Sequence, residues 1–127
     1  MAATIGSLST FTTVAGYGGT LKDPNGVEIY SSGGNSSALN LTAAQVIKAG
    51  PGRLCKITVL GVVGTGGNLT FNDCATTGAA TTANQIYFGA GALAVGTVVT
   101  LDWPCLNGIV CSAVPTGGTV QINVSFN

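Results

Sequence analysis

The sequence predicts an all-β protein, an antiparallel β-sandwich of jelly-roll or Greek-key type with an extended N-terminal arm. Short runs rich in β-branched residues recur about every ten residues from position 43 onward, and turn signals rich in Gly, Pro and Asn separate them. Helical periodicity is absent from the same region outside residues 43–48. An immunoglobulin-like arrangement is the main alternative, because sequence alone does not decide strand order.

Two regions of the chain differ in composition. Residues 1–42 are rich in Gly, Ser and Thr, with clusters such as AGYGGT and SSGGNSS, and are interpreted as an arm plus loops. Inside them, KDPNGVEIYS predicts a hairpin turn at Pro24, Asn25 and Gly26, followed by a strand at 27–31. Residues 43–127 form the predicted sandwich core, and the 127 residues together make one domain.

The strands of the core are predicted from alternation and from the turns between them. AQVIKA comes first, and RLCKITVLGVV is the predicted central strand, because Cys55, Ile57 and Val59 alternate with Lys56 and Thr58. NLTFND, NQIYFG, TVVTLDW and GIVCSAV follow. TVQINVSF closes the series with a clear period of two, so seven or eight strands are expected.

The segment TLDWPCLNGIVC joins two of these strands. Its first strand is predicted to end at Pro104, which lacks an N–H for the ladder, and Asn107 with Gly108 is predicted to supply positive φ values. Cys111 alternates with Ile109, which indicates a buried free thiol.

The cysteines leave a second interpretation open, a Cys105–Cys111 or Cys55–Cys111 disulfide. The first residues have neither the basic start nor the apolar block of a secretory signal, which lowers the expectation of a disulfide. No metal site is expected, because the chain has no histidine and its cysteines lack C-x-x-C spacing.

Charge is the most unusual feature of the composition. Charged residues make up 6% of the chain, against about 25% in ordinary proteins. Four scattered cations and a net charge of zero do not form the basic patch that nucleic acid or an anionic membrane requires. The longest apolar runs, such as ITVLGVVG, are far shorter than the roughly 20 residues of a membrane span. A neutral polar surface of this kind favours association with copies of itself.

The residues needed for catalysis are scarce, and the protein is predicted not to be an enzyme and to need no cofactor. Without histidine there is neither a Ser-His-Asp nor a Cys-His arrangement. Asp23, Glu28, Asp73 and Asp102 are interpreted as solvated or capping residues. A sugar platform at Asp102 and Trp103 is an alternative to a structural role for Trp103 at a strand end.

Candidate interaction residues lie in both regions. In the arm, apolar side chains recur every three residues within an extended polar stretch and are predicted to anchor it on a neighbouring subunit; they are Ile5, Leu8, Phe11, Val14 and Tyr17. A disordered tail is the alternative. In the core, Trp103 and Tyr87 are predicted to contact a ligand or a partner.

Two stretches, KAGPGRLCKITVLG and GALAVGTVVTLDWPCLNGIVCSAVPTGGTVQINVSF, resemble the small β-rich virion proteins of tailed bacteriophages. The resemblance covers about residues 49–126 and is nearest to the capsid decoration, or cement, proteins. It implies a β-sandwich or jelly roll that forms trimers or dimers and binds the major capsid protein on the outside of an assembled head. The expected location is then the capsid surface of the virion, after synthesis in the host cytoplasm.

Two other functions remain open at this point. The first is a host-glycan-binding head module of a phage tail fibre or collar, acting through Trp103, Tyr87 or loop Asn residues. The second is a cell-surface or pilus-like subunit, which needs an export signal. Residues 1–42 match nothing in the family, so the resemblance does not identify the docking target of the arm.

Overall fold

The computed structural model describes residues 24–25, 33–61, 66–90 and 92–127. Eight strands occupy most of these ranges: β1 (Ser36–Leu41), β2 (Gln45–Ala49), β3 (Gly52–Val59), β4 (Asn68–Asn72), β5 (Gln85–Ala90), β6 (Val98–Cys105), β7 (Gly108–Ala113) and β8 (Ile122–Phe126). Two single turns of 3-10 helix, Thr77–Ala79 and Thr82–Asn84, lie between β4 and β5. None of the helical segments in these ranges has the length or hydropathy of a membrane span.

The strands form two four-stranded antiparallel sheets. The first sheet has the order β1-β8-β3-β6 and the second the order β2-β7-β4-β5. The predicted antiparallel β-sandwich is therefore confirmed. RLCKITVLGVV supplies β3, which lies in the interior of the first sheet as predicted, between β8 and β6.

The core lies between the two sheets and consists of the inward residues of both. Cross-strand pairs such as Ile57–Val124 and Phe71–Cys111 face it, as alternation along the strands requires. The largest fully buried apolar side chains are Phe71, Leu41, Leu54, Ile57, Leu69, Ile109 and Ile122. Both sheets contribute to this set, so neither buries its apolar face without the other.

The first strand differs from the sequence interpretation. β1 lies inside the segment interpreted as arm and loops, and it pairs with β8 in the sandwich. Its sequence SSALNL has no β-branched residue, which is why the pattern did not indicate a strand. Pro24 and Asn25 form the predicted turn, whereas residues 27–31 lie outside the described ranges.

One expectation about the connection from β6 to β7 is wrong, and another holds only in part. β6 continues through Pro104, which stands opposite Arg53, because an edge strand tolerates a residue without an N–H. Gly108 has the predicted positive φ, of 159°, but Asn107 does not; in the described ranges Asn40 and Asp102 are the non-glycine residues with positive φ. The reason is that β6 and β7 belong to different sheets, so the connection is not a tight hairpin.

All four edge strands carry a β-bulge. Where each edge strand pairs with its inner neighbour, the register shifts by one residue, and the extra residue lies on the edge strand. The shifts occur between Ala38 and Leu41 in β1, at Ile47 in β2, at Ile86 in β5 and at Leu101–Asp102 in β6. Bulges interrupt the row of free N–H and C=O groups that another strand could join. The edges are therefore poor templates for continuing the sheets into a second copy.

Candidate interaction surfaces

The predicted arm anchors Ile5, Leu8, Phe11, Val14 and Tyr17 lie outside the described residues. Their role stays a prediction.

Trp103 and Tyr87 lie in different sheets. Trp103 is in β6 at the edge of the first sheet, where it pairs with Leu54 and is 49% exposed. Tyr87 is in β5 at the edge of the second sheet and is partly buried against the core, its ring centroid 6.5 Å from that of Phe71. Tyr87 therefore serves the core, and Trp103 is the more accessible of the two rings.

Most of the charged side chains in the described ranges are engaged inside the molecule. The Arg53 Nη1 group donates a hydrogen bond of 2.9 Å to the Asp102 carbonyl, and Arg53 Nε lies 3.8 Å from Asp102 Oδ1. The Asp73 carboxylate is occupied by backbone N–H groups. Within these ranges only Lys48 and Lys56 lack an internal contact of this kind, so the described surface carries few charges without a partner.

Asp73 caps the connection between the two sheets. Its Oδ1 accepts hydrogen bonds from the backbone N–H groups of Asn107 at 2.7 Å and Gly108 at 3.1 Å, and its Oδ2 accepts one from Leu106 at 3.0 Å. A carboxylate that accepts several N–H bonds is a strong tether. The capping role considered for this residue from the sequence is therefore observed.

All four cysteines are free and buried, so neither disulfide considered above is formed. Burial raises the pKa of Cys105 to about 12, and the Asp73 carboxylate acts in the same direction. Burial also raises the pKa of Cys111 to about 12 and raises that of Cys74. Because the thiolate is the nucleophile and the metal ligand, these thiols are unreactive near neutral pH. No group of metal-ligating side chains forms within the described ranges.

We expect the protein to lose stability in alkali because of these thiols. A free thiol ionises near its ordinary pKa of 9.0, whereas Cys105 and Cys111 keep their protons up to about pH 12. Between these values the unfolded chain binds fewer protons than the folded one. The free energy of unfolding therefore falls by about 1.4 kcal/mol per pH unit for each thiol.

Denaturant unfolding at several pH values between about 8 and 11 measures this effect, since that interval spans the ordinary thiol pKa. The matched control is the double variant Cys105→Ala, Cys111→Ala, which should be less stable at neutral pH but show a flatter decline. Equal slopes for the variant and the original chain would contradict the assignment.

The outer face of the first sheet, here called the first-sheet face, carries small polar side chains, exposed apolar side chains and the exposed Lys56. One cross-strand row on it contains Ser37, Ser125, Lys56 and Thr100. The next contains Asn123, Thr58 and the 57% exposed Val98.

A groove of about 280 Å³ crosses the first-sheet face between Leu39, Lys56 and Asn123. Leu39 is 66% exposed at its rim. The Ser125 hydroxyl in the groove is buried and has no hydrogen-bond partner in the described part of the chain. An unpartnered hydroxyl beside exposed apolar side chains is typical of a surface that a partner covers.

The outer face of the second sheet carries a second depression, here called the polar groove. The connection between β4 and β5 folds over this face, and the groove is lined mainly by hydroxyl and amide side chains: Thr70, Asn72, Thr77, Thr82, Gln85 and Ser112. Its volume is about 410 Å³, within the range of about 300–1,000 Å³ found for small-molecule sites.

An internal network holds the polar groove open. The Asn72 Nδ2 group donates to the Thr81 carbonyl at 2.7 Å and to Asn84 Oδ1 at 2.8 Å. On its other side, Asn72 Oδ1 accepts a bond of 2.6 Å from the Ser112 hydroxyl, and Ser112 is the bulged residue of β7 opposite β4. The Asn84 Nδ2 group also donates a hydrogen bond of 2.9 Å to the Ala79 carbonyl. These bonds between neutral polar groups fix the connection to the sheet.

The polar groove is not apparent from the sequence. The alternation in NLTFND turns Thr70 and Asn72 away from the core, and this much was visible in the pattern. Ser112 lies 40 residues further along the chain and meets Asn72 only because β7 pairs with β4. No local pattern contains that information.

Comparison with known proteins gave no match: no protein-family model, no curated protein and no solved structure is significantly similar to this chain.

Proposed function

We propose that the protein is a structural virion protein, a capsid decoration or cement protein that binds the outside of a phage head and stabilises it. It acts by packing against the major capsid protein and against copies of itself, as a dimer or trimer, and it performs no catalysis. The observation that carries the proposal is how few charges the described surface presents without a partner: Arg53 lies beside Asp102, the Asp73 carboxylate accepts backbone N–H groups, and Lys48 and Lys56 remain. Symmetric packing places like residues together, and neutral residues do so without repulsion.

The first-sheet face is the packing surface in this proposal. It combines the exposed Leu39 and Val98 side chains with the unpartnered Ser125 hydroxyl. Covering it removes apolar area from water, at about 25 cal/mol for each Å², and offers the hydroxyl a partner. The bulged edges favour the same choice, because they disfavour association by strand addition.

The strand order adds support of a more general kind. We take the orders β1-β8-β3-β6 and β2-β7-β4-β5 to be those of a jelly roll, in which two Greek keys are rolled into facing sheets. Jelly rolls occur in viral capsid proteins and also in lectins. This is an analogy of fold, so the function depends on the surfaces.

Head binding tests the proposal directly. The purified protein is mixed with assembled heads of the encoding phage, and we expect it to sediment with them. Val98→Lys, on the first-sheet face, should weaken binding. Val95→Lys is the matched control, because Val95 is 55% exposed, close to the 57% of Val98, but lies outside the sheets. Absence of the protein from the head pellet would defeat the proposal, and normal binding by Val98→Lys would exclude this face.

Head binding also distinguishes the proposed decoration protein from the alternative, a host-glycan-binding head module of a phage tail fibre or collar. Such a module binds glycans and leaves heads unbound.

A further inference from the structure

We propose that the polar groove binds a neutral carbohydrate, with Phe88 as the stacking surface at its end. This inference concerns the second sheet and does not depend on head binding through the first-sheet face. Either can fail without the other.

The lining of the groove determines the chemical class of its ligand. No charged side chain lines it, so it has no cation to bind a phosphate or carboxylate and no carboxylate to bind a metal. Its hydroxyl and amide groups would be left without partners by an apolar ligand, which is costly. A neutral, polyhydroxylated molecule satisfies them, because each threonine hydroxyl both donates and accepts a hydrogen bond.

The polar side chains of the groove fall into two sets. Asn72, Ser112 and Asn84 are used internally to hold the connection in place. In contrast, the side chains of Thr70, Thr77, Thr82 and Gln85, which face the same space, make no hydrogen bond within the described part of the chain; Thr70 takes part only through its carbonyl, which accepts from the Ser112 hydroxyl at 3.4 Å. The first set supports the shape of the groove, and the second set remains available for a ligand.

Thr70 is the clearest member of the available set. It is only 8% exposed, and it lies on β4, which has a neighbouring strand on each side. Its hydroxyl is not used by the protein and is open to the groove, since the buried unpartnered side-chain oxygen of the described ranges is that of Ser125. The Thr70 hydroxyl indicates a place where a ligand hydroxyl would bind.

Phe88 supplies the apolar part of a sugar site. It pairs directly with Thr70 across β4 and β5, and it is 58% exposed on the same outer face. Directly opposed residues have Cβ atoms about 5 Å apart, so Phe88 is the neighbour of a lining residue and lies just outside the lining itself. A pyranose has an apolar C–H face and a polar edge, and an aromatic ring next to hydroxyl and amide groups matches both.

The test is a titration of the full-length protein with neutral oligosaccharides: cellotetraose, maltotetraose, mannotriose and triacetylchitotriose. We expect at least one to shift the amide resonances of Thr70, Ser112 and residues 77–85. Sialyllactose and a heparin tetrasaccharide, which are charged, should bind more weakly. Failure of all four neutral probes to bind at about 10 mM, a concentration that detects even millimolar affinity, would overturn the proposal.

Three variants locate the binding. Phe88→Ala and Gln85→Ala should each weaken it by about tenfold, the scale expected from losing one stacking or hydrogen-bonding contact. Trp103→Ala is the matched aromatic control and should bind as the original chain does, since Trp103 is 49% exposed on the other sheet. Loss of binding in Trp103→Ala with retention in Phe88→Ala would overturn the site. Unchanged thermal unfolding of each variant shows that it is folded.

Discussion

Replacing Phe71 with Ala is expected to lower the free energy of unfolding by about 3–5 kcal/mol. Phe71 is fully exposed in the unfolded chain and fully buried in the folded one, where it is the largest of the completely buried side chains. It projects into the core from β4, a strand between β7 and β5, and its ring packs against that of Tyr87. Truncation leaves a cavity bordered by both sheets, which a fixed backbone does not fill.

Denaturant unfolding measures the loss, and Phe88→Ala is the matched control. Phe88 lies on the neighbouring strand of the same sheet but is 58% exposed, so its truncation should change stability by no more than about 1 kcal/mol. A domain of this size is stable by only about 5–15 kcal/mol, so Phe71→Ala should remove a large share of the total. Equal effects of the two variants would show that the sheets do not enclose Phe71.

The second large effect is expected at Asp73. Asp73→Ala should lower the free energy of unfolding by about 2–3 kcal/mol, because three backbone N–H groups lose a charged acceptor. These N–H groups belong to Leu106, Asn107 and Gly108, in the connection by which the chain passes from the first sheet to the second. Partial access of water to the connection keeps the effect below that of three fully buried bonds.

Two measurements check the role of Asp73. Denaturant unfolding gives the loss of stability, and amide hydrogen exchange at Leu106, Asn107 and Gly108 should become faster in the variant. Asp102→Asn is the control: Asp102 is a half-exposed carboxylate near Arg53, and asparagine tolerates its positive φ of 49°. Its substitution should cost less than about 1 kcal/mol. Unchanged exchange in Asp73→Ala would contradict the capping role.

The fold class could be predicted because it depends on local patterns. Ile57, Val59, Ile122 and Val124 occur at every second position of their strands, and all four are buried between the sheets. A strand with one covered face requires that period and little else. β1 did not show it, because only its Ala38 and Leu41 side chains pack towards the core, and the remaining positions are small or polar.

The positions of the strands in the sheets could not be predicted in the same way. Pro104 is compatible with β6 only because β6 is an edge strand, and an edge is a property of the assembled sheet. The same holds for the bulges, which lie on the outer strand of every edge pair. Tyr87 was a candidate contact residue by its aromatic character, and pairing with Phe71 across the sheet instead directs it towards the core.

Local patterns in the sequence are enough to specify a small β-protein of zero net charge whose strands have one apolar face, because charge content and alternation can be counted directly along the chain. The places where neutral polar groups converge depend on the tertiary structure. Thr70 and Asn72 meet Ser112 across a strand pair, and Asp73 meets the backbone at 106–108 across a crossover between sheets. These contacts join residues more than thirty positions apart, and strand pairing brings such residues together without leaving a local pattern in the chain.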